Sequence, residues 1–166
     1  MTNRPAKKRI LGIDPGFADT GFGILEFSGN NVLTIDYGSI KTAAGQPFPD
    51  RLIYIYDQVA SLIKNYKPSH LAIEDLFFYK NITTAIKVSQ ARGVVLLAAR
   101  QKKLTISNHS PLQVKQSLTG WGGADKKQMG KMIKTVLHLE KVPTPDDAAD
   151  ALAIAWCAGA NLIIKK

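Results

Sequence analysis

The sequence predicts an α/β fold: a mixed five-stranded sheet flanked by helices. Three strand-like segments follow one another over residues 9–40, joined by short turns, which reads as an antiparallel meander. Beyond residue 50, stretches with apolar residues at helical spacing alternate with two short apolar runs, as expected when helical connections add strands to a sheet. The 166 residues, 45% hydrophobic and 21% charged, suit one globular domain with a substantial core.

The first strand, 9–14, carries Ile10, Leu11 and Ile13, an apolar run of the kind covered on both faces, and ends on Asp14 before Pro15-Gly16 forces a turn. Residues 20–27 form the returning strand, and Gly29-Asn30 or Asn30-Asn31 turns the chain into a third, 32–40. After a loop over 41–50, Asp50 is expected to cap a helix whose Leu52, Ile55, Tyr56, Val59, Leu62 and Ile63 share one face, with Pro68 ending the segment. Residues 70–74 read as a short buried strand finishing on Glu74, followed by an aromatic–basic loop, Phe77-Phe78-Tyr79-Lys80-Asn81. A helix over 82–102 contains Gly93, which costs about 1 kcal/mol against alanine and so implies close helix packing. A fifth strand is expected at 104–107, a helix opening at Pro111, and a flexible basic loop over 120–127. Met129, Met132, Ile133, Val136 and Leu137 mark one face of an amphipathic helix, and Pro143 and Pro145 precede a last helix over 146–160. Residues 1–8 read as a flexible basic tail, 9–160 as the domain and 161–166 as a C-terminal tail. This order, a meander followed by parallel additions, is that of ribonuclease H-like domains.

Twenty-two Lys and Arg against 13 Asp and Glu give a net charge of +9, which favours a polyanionic partner through release of phosphate counterions. No apolar run approaches the ~20 residues that span a bilayer. No hydrophobic stretch of a signal peptide follows the basic N-terminal residues, and Cys157 has no second cysteine to pair with. A reducing, cytoplasmic setting is therefore expected.

Against this basic background the acids stand out. Asp14 and Glu74 each end a buried strand, where a carboxylate costs several kcal/mol unless it is paired or holds a metal. Asp14 also suits an Asx-type turn ahead of Pro15-Gly16. Asp147 and Asp150, three positions apart, project from one helix face. The positive end of the helix dipole accounts for Asp146 and partly for Asp147, but not for Asp150, set among alanines a turn further in. Clustered carboxylates suit a hard divalent cation, whereas His70, His109, His138 and Cys157 are too scattered for zinc. No Gly-x-Ser-x-Gly turn supports a serine nucleophile.

Ile10-Leu11-Gly12-Ile13-Asp14-Pro15-Gly16 with Thr20-Gly21-Phe22-Gly23, Ala72-Ile73-Glu74 followed by Phe77 and Lys80-Asn81, Gln90-Ala91-Arg92-Gly93-Val94, and Asp147-Ala148-Ala149-Asp150-Ala151-Leu152-Ala153-Ile154-Ala155 occur in an order and spacing that resembles the RuvC family of bacterial Holliday junction resolvases, or crossover junction endodeoxyribonucleases. The resemblance extends over residues 10–158. It implies a ribonuclease H-like homodimer that resolves four-way junction DNA during recombination and repair, by paired magnesium-dependent nicking of symmetric strands to leave 5′-phosphate and 3′-hydroxyl ends. It implies two Mg2+ per active site, with Mn2+ able to substitute, and RuvA and RuvB as branch-migration partners. By the same matching, Asp14, Glu74, Asp147 and Asp150 are the metal-binding acids. Neighbouring strand residues face opposite ways, so only one of Glu74 and Asp75 can serve, and the motif selects Glu74. Some relatives carry histidine where this chain has Asp147, so the all-acid set here favours magnesium or manganese. Lys115 and Lys126 match basic positions near the scissile phosphate, with roles in both catalysis and DNA binding. Phe77 matches an aromatic that stacks on opened bases, Lys80 and Asn81 suit backbone phosphate, and Arg92 is placed toward DNA or the second subunit.

Three other readings compete. Actin-type ATPases and sugar kinases also open on an Asp-x-Gly hairpin but need a second lobe that 166 residues do not hold. A non-catalytic junction binder would lack some of the acids. A ribonuclease H-like nuclease acting on ribosomal RNA precursors is the nearest rival, disfavoured by the Phe77 loop and the final Asp-x-x-Asp.

Overall fold

The computed structural model describes residues 6–76 and 82–164. In chain order the elements are β1 (Lys8–Asp14), β2 (Asp19–Ser28), β3 (Asn31–Lys41), α1 (Phe48–Tyr66), β4 (His70–Glu74), α2 (Ile82–Gln101), β5 (Thr105–His109), α3 (Pro111–Thr119), α4 (Lys126–Val136) and α5 (Asp146–Ile164). The sheet order is β3-β2-β1-β4-β5, with β1–β2 and β2–β3 antiparallel and β1–β4 and β4–β5 parallel. This is the expected mixed five-stranded sheet.

Period-two alternation divides the strand residues between two cores. Leu11, Ile13, Ile24, Ile40, Leu71 and Ile73 pack under α1 and α2. Ile10, Leu25, Phe27 and Ala72 pack under α3, α4 and α5. Asp14 is in phase with Ile10, and Glu74 with Ala72, so both acids project toward α5.

Several boundaries differ from expectation. Helix α1 starts at Phe48 with Pro47 as its N-cap, so Asp50 lies in the first turn instead of capping. Strand β5 runs on to His109, where Ser110 begins α3 with a capping box to Gln113. The segment expected to be a loop through residue 127 ends sooner, because Asp125 caps α4 in a second capping box with Gln128. Lys8 already belongs to β1 and Lys7 pairs with Glu26, so the residues just before 9 are not a free tail. At the other end α5 continues to Ile164, past the expected stop at 160.

Helix α2 departs furthest from expectation. By length and composition it is apolar enough to cross a membrane, although Ala91, Val95, Ala98 and Ala99 on one face are buried in the α1–α2 core. Its opposite face leaves Ile82, Ile86 and Leu97 exposed, and no described atom lies within 4 Å of a Cβ built on Gly93. Close packing among the described residues therefore does not explain that glycine.

Candidate active site

The site lies at the C-terminal ends of β1 and β4, where β1–β4 pairing of Ile13 with Ile73 is followed on each strand by an acid. The turn after Asp14 is braced from below. Thr20 donates a hydrogen bond to the Gly16 carbonyl, and Thr42 donates to the Phe17 carbonyl at 2.6 Å. Buried Arg51 donates to Thr42 Oγ1 at 2.7 Å and to the Phe17 carbonyl at 3.2 Å, with its guanidinium 4.9 Å from the Phe17 ring centre.

Helix α5 brings the other two acids because two strand residues have no side chain. A Cβ on Gly12 would fall on the Ala151 carbonyl oxygen, and one on Gly21 on the Asp147 carbonyl oxygen. The helix thus lies directly on the β1–β2 backbone, with Asp147 and Asp150 over Asp14. Oxygens of Asp14, Asp147 and Asp150 come within 4.8 Å of one another. Glu74 is not part of that tight trio. It joins Asp14 and Asp150 in lining a cleft of about 290 Å³, together with Lys115 and Lys126.

These carboxylates are held in conflict. Burial, then repulsion from Glu74, Asp150 and Asp147, pushes Asp14 up to about 8 against a weaker pull from Lys126. Burial and the charge of Asp150 push Glu74 up to about 7, with Lys115 opposing. Asp147 and Asp150 are also raised, chiefly by burial. The Lys126 ammonium lies 3.3 Å from Asp146 and 3.5 Å from Asp150. Desolvation works against its charge, but Asp150 and Asp146 outweigh it and hold the lysine above its ordinary value. Two lysines, Lys115 and Lys126, do not balance four acids. The donor set, all oxygen, crowded and short of positive charge, fits a hard divalent cation.

Of the site residues expected from sequence, Asp14, Glu74, Asp147, Asp150, Lys115 and Lys126 come together. Phe77, Lys80 and Asn81 lie outside the described residues. Arg92 points inward, not toward solvent: Nε donates to the Glu74 carbonyl at 3.1 Å, and Nη2 to Asn108 Oδ1 at 2.6 Å and Asp75 Oδ1 at 3.3 Å. Asp75, on the alternate register from Glu74, is therefore a partner of Arg92. Sequence reasoning missed the tether between Asp146 and Lys126, and Asn108 as a partner of Arg92. The capping pattern Asp125-x-x-Gln128, which starts α4 one residue before Lys126, was the readable signal for the first.

A family model described as crossover junction endodeoxyribonuclease RuvC matches residues 10–158. A crossover junction endodeoxyribonuclease RuvC of Thermosipho melanesiensis is 52% identical over 149 residues, covering 90% of this chain and 95% of the relative. The Thermus thermophilus RuvC structure superposes with a TM-score of 0.88 at 32% identity, over 95% of this chain and 96% of that one. The T. thermophilus RuvC in complex with Holliday junction substrate superposes with a TM-score of 0.86 at 30% identity, over 94% and 96%.

Proposed function

Because the chain belongs to the RuvC family, the crossover junction endodeoxyribonucleases that resolve Holliday junctions, we propose that Asp14, Glu74, Asp147 and Asp150 are its metal-binding catalytic acids. The observation that carries this is the crowding of Asp14, Asp147 and Asp150 oxygens within 4.8 Å beside Glu74, in a chain whose net charge is +9. The ions are Mg2+, two per site, with Mn2+ as substitute. Asp14 and Asp150 belong both to the tight trio and to the Glu74 side of the cleft, which supports two neighbouring positions sharing them. Bound there, divalent ions supply Lewis acidity that makes water nucleophilic at neutral pH and neutralises charge on the departing oxygen.

The protein's own part is charge placement. The four acids would hold the ions, whose charge would keep the carboxylates ionised at neutral pH despite burial. Lys115 and Lys126 line the same cleft and offer positive charge to the scissile phosphate, Lys126 on a tether to Asp146 that steadies it at the mouth. Hydrolysis leaves a 5′-phosphate and a 3′-hydroxyl. Phe77 stacks on a base opened at the crossover, worth about 1–3 kcal/mol, with Lys80 and Asn81 on neighbouring phosphates.

Paired nicking of symmetric strands needs two sites, hence a homodimer. Helix α2 supports this, since Ile82 (79% exposed), Ile86 (55%) and Leu97 (53%) share a face with Gly93. A second copy packed there would cover the apolar stripe, and the glycine would admit close approach. The protein works in the cytoplasm, on junctions that RuvA and RuvB move. Its free, buried Cys157 is consistent with that setting.

The test uses a synthetic four-way junction and a linear duplex of the same sequence, each with and without Mg2+. Paired nicks on the junction alone, and only with Mg2+, are expected. Equal cutting of the duplex, or cutting in EDTA, overturns the reading.

A further inference from the structure

Arg92 lies on α2, under the opposite face of the sheet from α5, and its guanidinium reaches across the ends of two strands. Nε holds the carbonyl of Glu74 itself, at 3.1 Å. Nη2 holds Asn108 on β5 at 2.6 Å and Asp75 at 3.3 Å, just where the chain leaves β4. The Asp75 amide continues the ladder by donating to the His109 carbonyl at 2.9 Å, so residues 74 and 75 are anchored from both sides. The Arg92 side chain is only 19% exposed. A DNA-facing role would require it to leave three acceptors, one of them the carbonyl at the β4 end that carries the cleft.

We propose that Arg92 is a positioning residue for Glu74. Its planar fork locks the end of β4 to β5, so that the Glu74 side chain stays directed into the cleft despite its like-charged neighbours. This rests on the metal-ligand reading of Glu74 given above. Residues that orient ligands from behind typically change metal affinity or activity by about 10–100-fold when removed. Lysine is a poor replacement, because one ammonium on a flexible stem cannot span three acceptors in a plane.

The experiment compares wild type with Arg92→Lys, Arg92→Ala, Asn108→Ala and Glu74→Gln. It measures junction affinity in EDTA, Mn2+ affinity of the DNA-free protein, and single-turnover cleavage against Mg2+ at saturating junction. For both Arg92 variants the Mn2+ affinity and the Mg2+ midpoint are expected to weaken at least tenfold, with slower cleavage and a junction affinity in EDTA within about twofold of wild type. Asn108→Ala, uncharged and at the strand edge, is expected to move the metal midpoint in the same direction by a smaller factor. Loss of junction binding in EDTA with an unchanged metal midpoint makes Arg92 a DNA contact and overturns the proposal. So does an unchanged metal midpoint in Arg92→Lys and Asn108→Ala. If Glu74→Gln cleaves normally, the site reading itself fails and the proposal with it; if Glu74→Gln is inactive while the Arg92 variants match wild type, only the positioning role fails.

Discussion

The backbone of Asp147 occupies the space that a side chain on Gly21 would need, and Gly21 is the ladder partner of Asp14. The depth at which α5 settles on the sheet therefore sets how closely Asp147 approaches Asp14. Gly21→Ala should lift the start of α5, at about 1–3 kcal/mol of overpacking. Its melting temperature should fall and its cleavage rate drop at least tenfold, while junction binding in EDTA is retained. Wild-type cleavage by this variant would mean that the close approach does not matter to the chemistry.

The metal-free protein should become less stable as pH rises through the range in which its buried acids ionise. Asp14 goes from 3.8 to about 8, so between those values the native state binds more protons than the unfolded chain. Stability is thus lost from about pH 4 upward, with the full penalty present above about pH 8. Asp14→Asn removes that penalty. Urea unfolding in EDTA should find the variant more stable than wild type by a few kcal/mol at pH 8.5, with the gain disappearing near pH 4. A gain independent of pH would contradict the electrostatic origin.

A second pH effect has the opposite sign. His70 and His109 both lie within 2.7 Å of the Ser107 hydroxyl, and His109 also faces buried Cys157 at 3.5 Å. Burial lowers both histidines, first of all by desolvation; the proximity of His109 and Lys8 adds to this at His70, while Asp75 opposes it at His109. The native state therefore binds fewer protons than the unfolded chain below pH 6.5, and stability present above that value is lost as pH falls. Replacing His70 by glutamine should flatten this acid limb in urea midpoints compared between pH 7.5 and 5. An unchanged slope would remove His70 as its source.

The exposed face of α2 gives a fourth test. If the proposed dimer packs through this face, Ile86→Glu combined with Leu97→Glu should leave a monomer in sedimentation velocity, with little change in the melting temperature of each chain, because both side chains are already exposed. Paired nicking of one junction should be lost with it. A persisting dimer would move the interface elsewhere.

Much of this arrangement was legible before the structure, for reasons that differ from residue to residue. Apolar runs ending on Asp14 and Glu74 are strong strand signals, and the three-residue spacing of Asp147 and Asp150 sets one helix face. What joins them was not legible from pattern alone. Gly12 and Gly21 stand in the sequence only as members of two strand segments, and only the packed α5 shows that the helix needs their missing side chains. Gly93 implies close helix packing, but no partner lies against it among the described residues, because the helix has an uncovered face. The resemblance places Arg92 toward DNA or the second subunit, whereas Arg92 points inward. Its partners Asn108 and Glu74 come from different strands, and no local spacing announces them. Helix α3 opens at Pro111 as expected, whereas the start of α4 could have been placed better, because Asp125-x-x-Gln128 is a capping box like Ser110-x-x-Gln113.

The most direct measurement is a calorimetric titration of Mn2+ into the DNA-free protein and into Asp14→Asn, Glu74→Gln, Asp147→Asn and Asp150→Asn at pH 8. Each carboxamide should weaken binding at least tenfold, Asp14→Asn and Asp150→Asn most, because these two acids belong to both groupings. Wild-type Mn2+ affinity in Asp14→Asn would contradict the account.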